Sequence, residues 1–297
     1  MNKLFNVNNL VFLIVLLLIA YGCKNAKNIN FDESSESTDA SNGLSANEAM
    51  VYSLPSPYQV SSLIKIAGID YEKNIIEMPM KHSNLYSSPE YKSLNLGASL
   101  VDLYYTTIFE EYPTSAVFLQ RVDELMYESG MKSVKFSKFA NRIENNLDNK
   151  DSLYHYIGLY QQQFEDYYSV SDEKQKTFLI VSGVYIEGLY LLSEMYQNSF
   201  YTKSLTPFME KSLNTSILQQ AIFLDNLIEL LESFNDPKIE PFVLRFKTLQ
   251  NLFTTINIEY SLGKKNEIQQ VKLLKKHMFQ IHEIAKVLRE DIILERI

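Results

Sequence analysis

The sequence predicts an all-α protein: a multi-helix bundle of long antiparallel helices, preceded by a signal peptide and a disordered tether. Two observations carry this. The pairs Ser56-Pro57, Ser88-Pro89 and Thr206-Pro207 each put a capping hydroxyl before a proline, and Asp236-Pro237 does the same with a carboxylate. The side-chain oxygen can accept from an early helical N–H, and the donor that proline lacks is not needed in the first turn. Apolar residues then recur at three- and four-residue spacing, while no stretch reads as sustained strand alternation with hairpin turns.

Helices are expected near 56–68, 89–111, 113–130, 133–147, 151–169, 172–200, 207–234, 238–260 and 265–293. Gly68 and Gly130 suit helix ends, where a left-handed residue is needed. Between 207 and 234, Leu213, Ile217, Leu224, Ile228 and Leu231 share one face. In the last segment Val271, Leu274, Met278, Ile281, Ala285, Leu288 and Ile292 alternate spacings of three and four, a seam that packs on neighbours at a shallow angle. The stretch Phe178–Leu192 is apolar nearly all round, which marks the central helix. Ser182, Gly183 and Gly188 on it would let a neighbour approach closely. The segment 69–87 reads as an irregular loop.

The amino-terminal region has a different logic. One lysine, Lys3, precedes an unbroken apolar run, Leu10–Ala20, that is shorter than the ~20 residues a membrane span needs. A basic start, a short apolar core and a small residue before a break describe an exported leader. The break, Ala20-Tyr21-Gly22-Cys23, contains the one cysteine of the chain. It resembles the lipobox of bacterial lipoproteins. That resemblance implies cleavage after Gly22 and acylation of Cys23, and two or three acyl chains make a stable anchor. Residues 24–49 are rich in Asn, Ser, Asp and Glu and nearly free of large apolar side chains, so they cannot offset the entropy of ordering. The expected organisation is a leader over 1–22, a lipidated cysteine with its tether over 23–52, and one helical domain over 53–297.

Of the 297 residues, 36 are Asp or Glu and 28 Lys or Arg, so the net charge is −8. An acidic chain without a dense basic cluster repels polyanions, so nucleic acid is not expected as a partner. Lys272, Lys275, Lys276 and Lys286 read as a solvated face of the last helix.

Motifs for chemistry are sparse. No glycine-rich phosphate loop and no Gly-x-Ser-x-Gly elbow occurs. The histidines, His82, His155, His277 and His282, lack the glutamate three residues earlier that di-metal bundles use. His277 and His282 read as solvated flank residues, and neither a metal nor a cofactor is expected. Glu187 stands out because a carboxylate on an all-apolar helix needs a partner or a shifted pKa. Tyrosine clusters follow: Tyr104 and Tyr105 after Asp102, and Tyr154 beside His155. Tyrosine joins an apolar body to a polar tip, so it suits both binding surfaces and core edges. Asp102, Tyr104, Tyr105, Tyr154 and Glu187 are therefore the candidate ligand-binding residues, and none is expected to be catalytic.

Pro55-Ser56-Pro57, Asn95-Leu96-Gly97, Asp102 and Tyr105 resemble motifs of a group of uncharacterised helical lipoproteins and exported proteins of Bacteroidetes. The resemblance implies no activity. It implies that residues 54–112 form a defined surface or groove. Together these readings lead to a lipid-anchored cell-envelope protein at the outer membrane, acting as a helical binding or scaffold module for an envelope partner. A small-molecule carrier with an inter-helix pocket is the alternative, and an enzyme with a dispersed acid/base site, such as Glu187 with a histidine, is the third reading.

Overall fold

The computed structural model describes residues 57–76, 86–129, 174–256, 259–262 and 268–297. All lie in the compact unit Leu44–Ile297. Seven α-helices occur among the described residues, and the protein is an all-α multi-helix bundle. They are α1 (Pro57–Ile66), α2 (Pro89–Ile108), α3 (Tyr112–Glu128), α4 (Lys174–Tyr201), α5 (Pro207–Glu232), α6 (Glu240–Thr255) and α7 (Lys275–Ile293). A single 3₁₀ turn, Lys73–Ile76, follows α1. The helices expected at 133–147 and 151–169 fall outside the described residues, as do Gly130, His82 and His155.

Ser88 and Thr206 cap as the sequence implies, while Ser56 lies outside the described residues. The Ser88 side chain accepts from the Tyr91 N–H, and that of Thr206 from the Met209 N–H. Gly68 closes α1 with φ +76°. Asp236 behaves differently. It accepts from the Lys238 N–H in a turn, and α6 begins only at Glu240.

Helix α4 is the axis of the bundle. Every residue from Thr177 to Ser193 is buried. With 28 residues it is long and apolar enough to cross a membrane, yet 94% of its apolar window is buried inside the protein. It packs on α2, α5 and α7. The contact with α2 brings the two backbones together. A β-carbon on Gly97 would lie 1.9 Å from the Ile180 carbonyl oxygen, and one on Gly183 would lie 1.8 Å from that of Leu94. Each glycine leaves room for the other helix's backbone. Gly188 gives α1 a smaller allowance, meeting the Val60 side chain.

Helix α2 is buried on nearly all sides, from Tyr91 to Thr107. Within 54–112, α2 is therefore core and not a surface. The Asn-Leu-Gly stretch is a packing device: the Asn95 amide donates to the carbonyls of Tyr91 (2.9 Å) and of Ile292 in α7 (3.1 Å), while Gly97 makes the crossing.

One expectation fails locally. Among the described residues of 256–274 no helix occurs; instead β1 (Glu259–Leu262) pairs antiparallel with β2 (Ile268–Lys272), and Tyr260 opposes Val271. Ile256, Ile258, Tyr260 and Leu262 alternate with polar residues, a period of two that the three-and-four seam of the next segment obscures. The seam itself is real from Met278 onward: Met278, Ile281, Ala285, Leu288 and Ile292 are all buried.

Candidate functional site

Two polar features stand out, one sealed in the core and one open to solvent. The sealed one lies about one turn beyond the Gly97–Gly183 crossing, where Asp102 of α2 faces Glu187 of α4. Both side chains are 0% exposed. Arg289 of α7 completes the group. Its Nε donates to Glu187 Oε2 at 2.7 Å, its Nη2 donates to the Ile75 carbonyl at 3.1 Å, and its guanidinium lies 4.1 Å from the centroid of the Tyr190 ring. Glu187 thus has the specific partner that its position demanded. Sequence reasoning missed Arg289, which sits beside the seam residue Leu288 and looks like one more solvated charge.

Asp102 has no such partner. With both carboxylates ionised, Asp102 Oδ1 and Oδ2 and Glu187 Oε1 find no hydrogen-bond donor. Burial pushes the Asp102 carboxyl well above the carboxylate range; the Glu187 charge adds to this, and Arg289 and Arg121 oppose it. A proton on Asp102 supplies the missing donor toward Glu187. The centre is then one neutral acid, one carboxylate and one guanidinium, without net charge.

This protonation has a sign that can be checked. A raised folded-state pKa stabilises the fold fully below the ordinary carboxylate pKa, and the benefit is lost as pH climbs toward the folded value. Across that window the slope is about 1.4 kcal/mol per pH unit. Asp102→Asn keeps a neutral donor without titrating. Relative to the parent, its denaturant-unfolding stability is expected to improve as the pH rises from 5 toward neutrality. A constant difference across that range would mean that Asp102 is ionised in the fold.

The network extends toward the surface. His282 stacks on Tyr190 with centroids 6.0 Å apart, approaches Glu194 Oε2 through Nε2 at 3.2 Å, and faces Ser193 Oγ through Nδ1 at 3.4 Å. Burial pushes the imidazole down to about 4, so at neutral pH the contact with Glu194 is a hydrogen bond and not an ion pair. His282 and His277 are buried, 2% and 7% exposed, which corrects their reading as solvated flank residues. Contacts with α4 make the buried face of α7 wider than its seam. Serine, imidazole and carboxylate also make up a nucleophile with its base, but Ser193 is buried and its hydroxyl donates to the Tyr190 carbonyl. On the α3 side, Arg121 donates to Ser99 Oγ at 2.8 Å and to the Tyr86 hydroxyl. Among the described residues no group of three or more His, Cys, Asp or Glu is placed to hold a metal.

The remaining candidates separate. Tyr105 is buried, accepts from the Glu72 N–H at 2.8 Å, and packs on Tyr71 and Phe109. Tyr104 is buried edge-on to Tyr58. Tyr154 and Cys23 lie outside the described residues. The structure therefore joins Asp102 to Glu187 and puts both tyrosines in core roles.

The open feature is an aromatic groove of about 750 Å³ between the end of α4, the turn into α5 and the start of α7. Tyr196 and Leu273 form its floor and are buried; Phe200, Tyr201, Leu205 and Leu274 form its walls. Phe200 meets Tyr201 and Phe279 edge-on, and Tyr201 stacks on Phe279 at 5.7 Å and 10°. Tyr201 remains 64% exposed. Burial and the Glu210 charge push the Tyr196 hydroxyl up to about 12, so it stays a proton donor beside that carboxylate. The sequence marked Lys275 here but not the groove, because its rings come from a helix end that no motif singles out.

Comparison with protein-family models finds no match, and neither does comparison with curated proteins or with solved structures.

Proposed function

We propose that the protein is a lipid-anchored helical binding module of the cell envelope, held at the outer membrane through Cys23, with the α4–α7 groove as its binding surface. The groove is the observation that supports this most. Its volume falls in the range of small-molecule sites, and it leaves Tyr201 and Leu274 open to solvent with Phe208 exposed at the start of α5. The acid/base groups of the centre, by contrast, are closed off from any substrate. A carrier is the specific form of this reading that a groove of such size favours. The tether of residues 24–49 would let the bundle reach away from the membrane, and the acidic charge sets nucleic acid aside as a partner.

Two measurements on the full-length chain test this. Cys23→Ser is expected to remove incorporation of labelled palmitate and release the protein from the membrane fraction. A photo-crosslinking residue at position 201 is expected to give a discrete adduct in cells. The same residue at position 127, where Tyr127 is 75% exposed on α3, should give none. Equal labelling at both positions, or none at either, would contradict the groove as the binding surface.

A further inference from the structure

The charges around the groove run against those of the whole protein. The chain carries −8, yet two exposed lysines, Lys203 and Lys275, line the groove with a single acid, Glu210. Among the described residues neither lysine is ion-paired with a carboxylate. Lys275 instead holds its ammonium 3.3 Å from the centroid of Phe200 and 5.5 Å from that of Phe279. That contact keeps the charge at the mouth of the aromatic wall.

Both lysines stand where local structure disfavours them. Lys203 follows the end of α4 with φ +59°, the left-handed position that glycine occupies at helix ends without strain. Lys275 is the first residue of α7, where Lys276 follows, no acid stands in the first turn and no side chain caps the helix. The helix dipole there favours an anion over a cation. Positive charge from both sides thus converges on one open, aromatic-walled space.

We propose that this groove binds a small planar organic acid, an aromatic ring system bearing one carboxylate. Its ring lies on the exposed face of Tyr201, and its carboxylate sits between Lys203 and Lys275. The proposal rests on the reading of the groove as the binding surface and names the chemistry it selects. The carboxylate supplies the charge that the two ammonium groups lack, and the flat ring extends the existing stack of Tyr201 on Phe279. A neutral ring would keep the stacking and lose the charge term.

The test uses the full-length, membrane-extracted protein with 1-naphthoate as probe and 1-naphthamide as its neutral counterpart, measured by titration calorimetry against protein-free detergent. Saturable binding of one 1-naphthoate is expected, with 1-naphthamide at least about tenfold weaker, the factor that one modest charge contact gives. Lys275→Gln and Lys203→Gly are each expected to weaken naphthoate by a similar factor. Lys203→Gly should melt no lower than the parent, because glycine relieves the positive φ, so its loss of binding cannot be ascribed to unfolding. Equal affinity for acid and amide, unchanged affinity in both variants, or no binding of naphthoate would each overturn the proposal. If naphthoate fails while position 201 still crosslinks to a discrete adduct, the groove remains the binding surface and only its assigned ligand class falls.

Discussion

Gly183→Ala is expected to lower the thermal midpoint by roughly 4–8 °C, although alanine is the better helix former by about 1 kcal/mol. The reason is the crossing of α2 and α4. An added β-carbon would lie 1.8 Å from the Leu94 carbonyl oxygen, and a backbone atom cannot turn aside as a side chain can. The helices must separate along their most apolar contact, an overpacking cost of about 3 kcal/mol. Gly97→Ala should behave alike, since its β-carbon meets the Ile180 carbonyl at 1.9 Å. Gly188→Ala should cost much less, because the contact there is the Val60 side chain at 2.5 Å. Differential scanning calorimetry of the three variants gives the order directly. An unchanged or raised midpoint in Gly183→Ala would mean that the two backbones do not touch.

Arg289→Met is expected to destabilise the protein by about 3–5 kcal/mol, the cost of leaving a buried charge without its partner. Glu187 is 0% exposed and its Oε2 bonds to Arg289, so its charge has no route to water. The double change Glu187→Met with Arg289→Met should recover most of the loss, because a buried ion pair is often no more stabilising than apolar residues of similar size. Chemical denaturation of the two single variants and the double variant closes the cycle. Additive losses would show that the two side chains do not interact.

These residues also show what the sequence could and could not reveal. The central helix was legible because Phe178–Leu192 is apolar nearly all round, and only a site enclosed by other helices accommodates that. Ser88 and Thr206 were legible as caps because the hydroxyl–proline pair acts locally. Glu187 was legible as an anomaly. Its partners were not: Asp102, Glu187 and Arg289 sit on three helices, and only the close approach at Gly97 and Gly183 brings the first two together. Arg289 and His282 lie beside the apolar seam of α7, where periodicity alone marks a residue as solvated. The hairpin at 259–272 was hidden because a short strand alternation adjoins a longer helical seam. The groove was hidden for another reason. Phe200 and Tyr201 belong to the end of one helix and Lys275 to the start of another, and no spacing in the chain connects them.

The intact mass of the protein, released from its own membrane in mild detergent under native conditions, tests most directly whether this is an anchored binding module. The expected spectrum shows a chain beginning at an acylated Cys23 and carrying a discrete additional mass, which disappears in the double variant Lys203→Gly, Lys275→Gln. A chain that retains Met1, without acyl groups and without added mass, would contradict both the anchor and the bound partner.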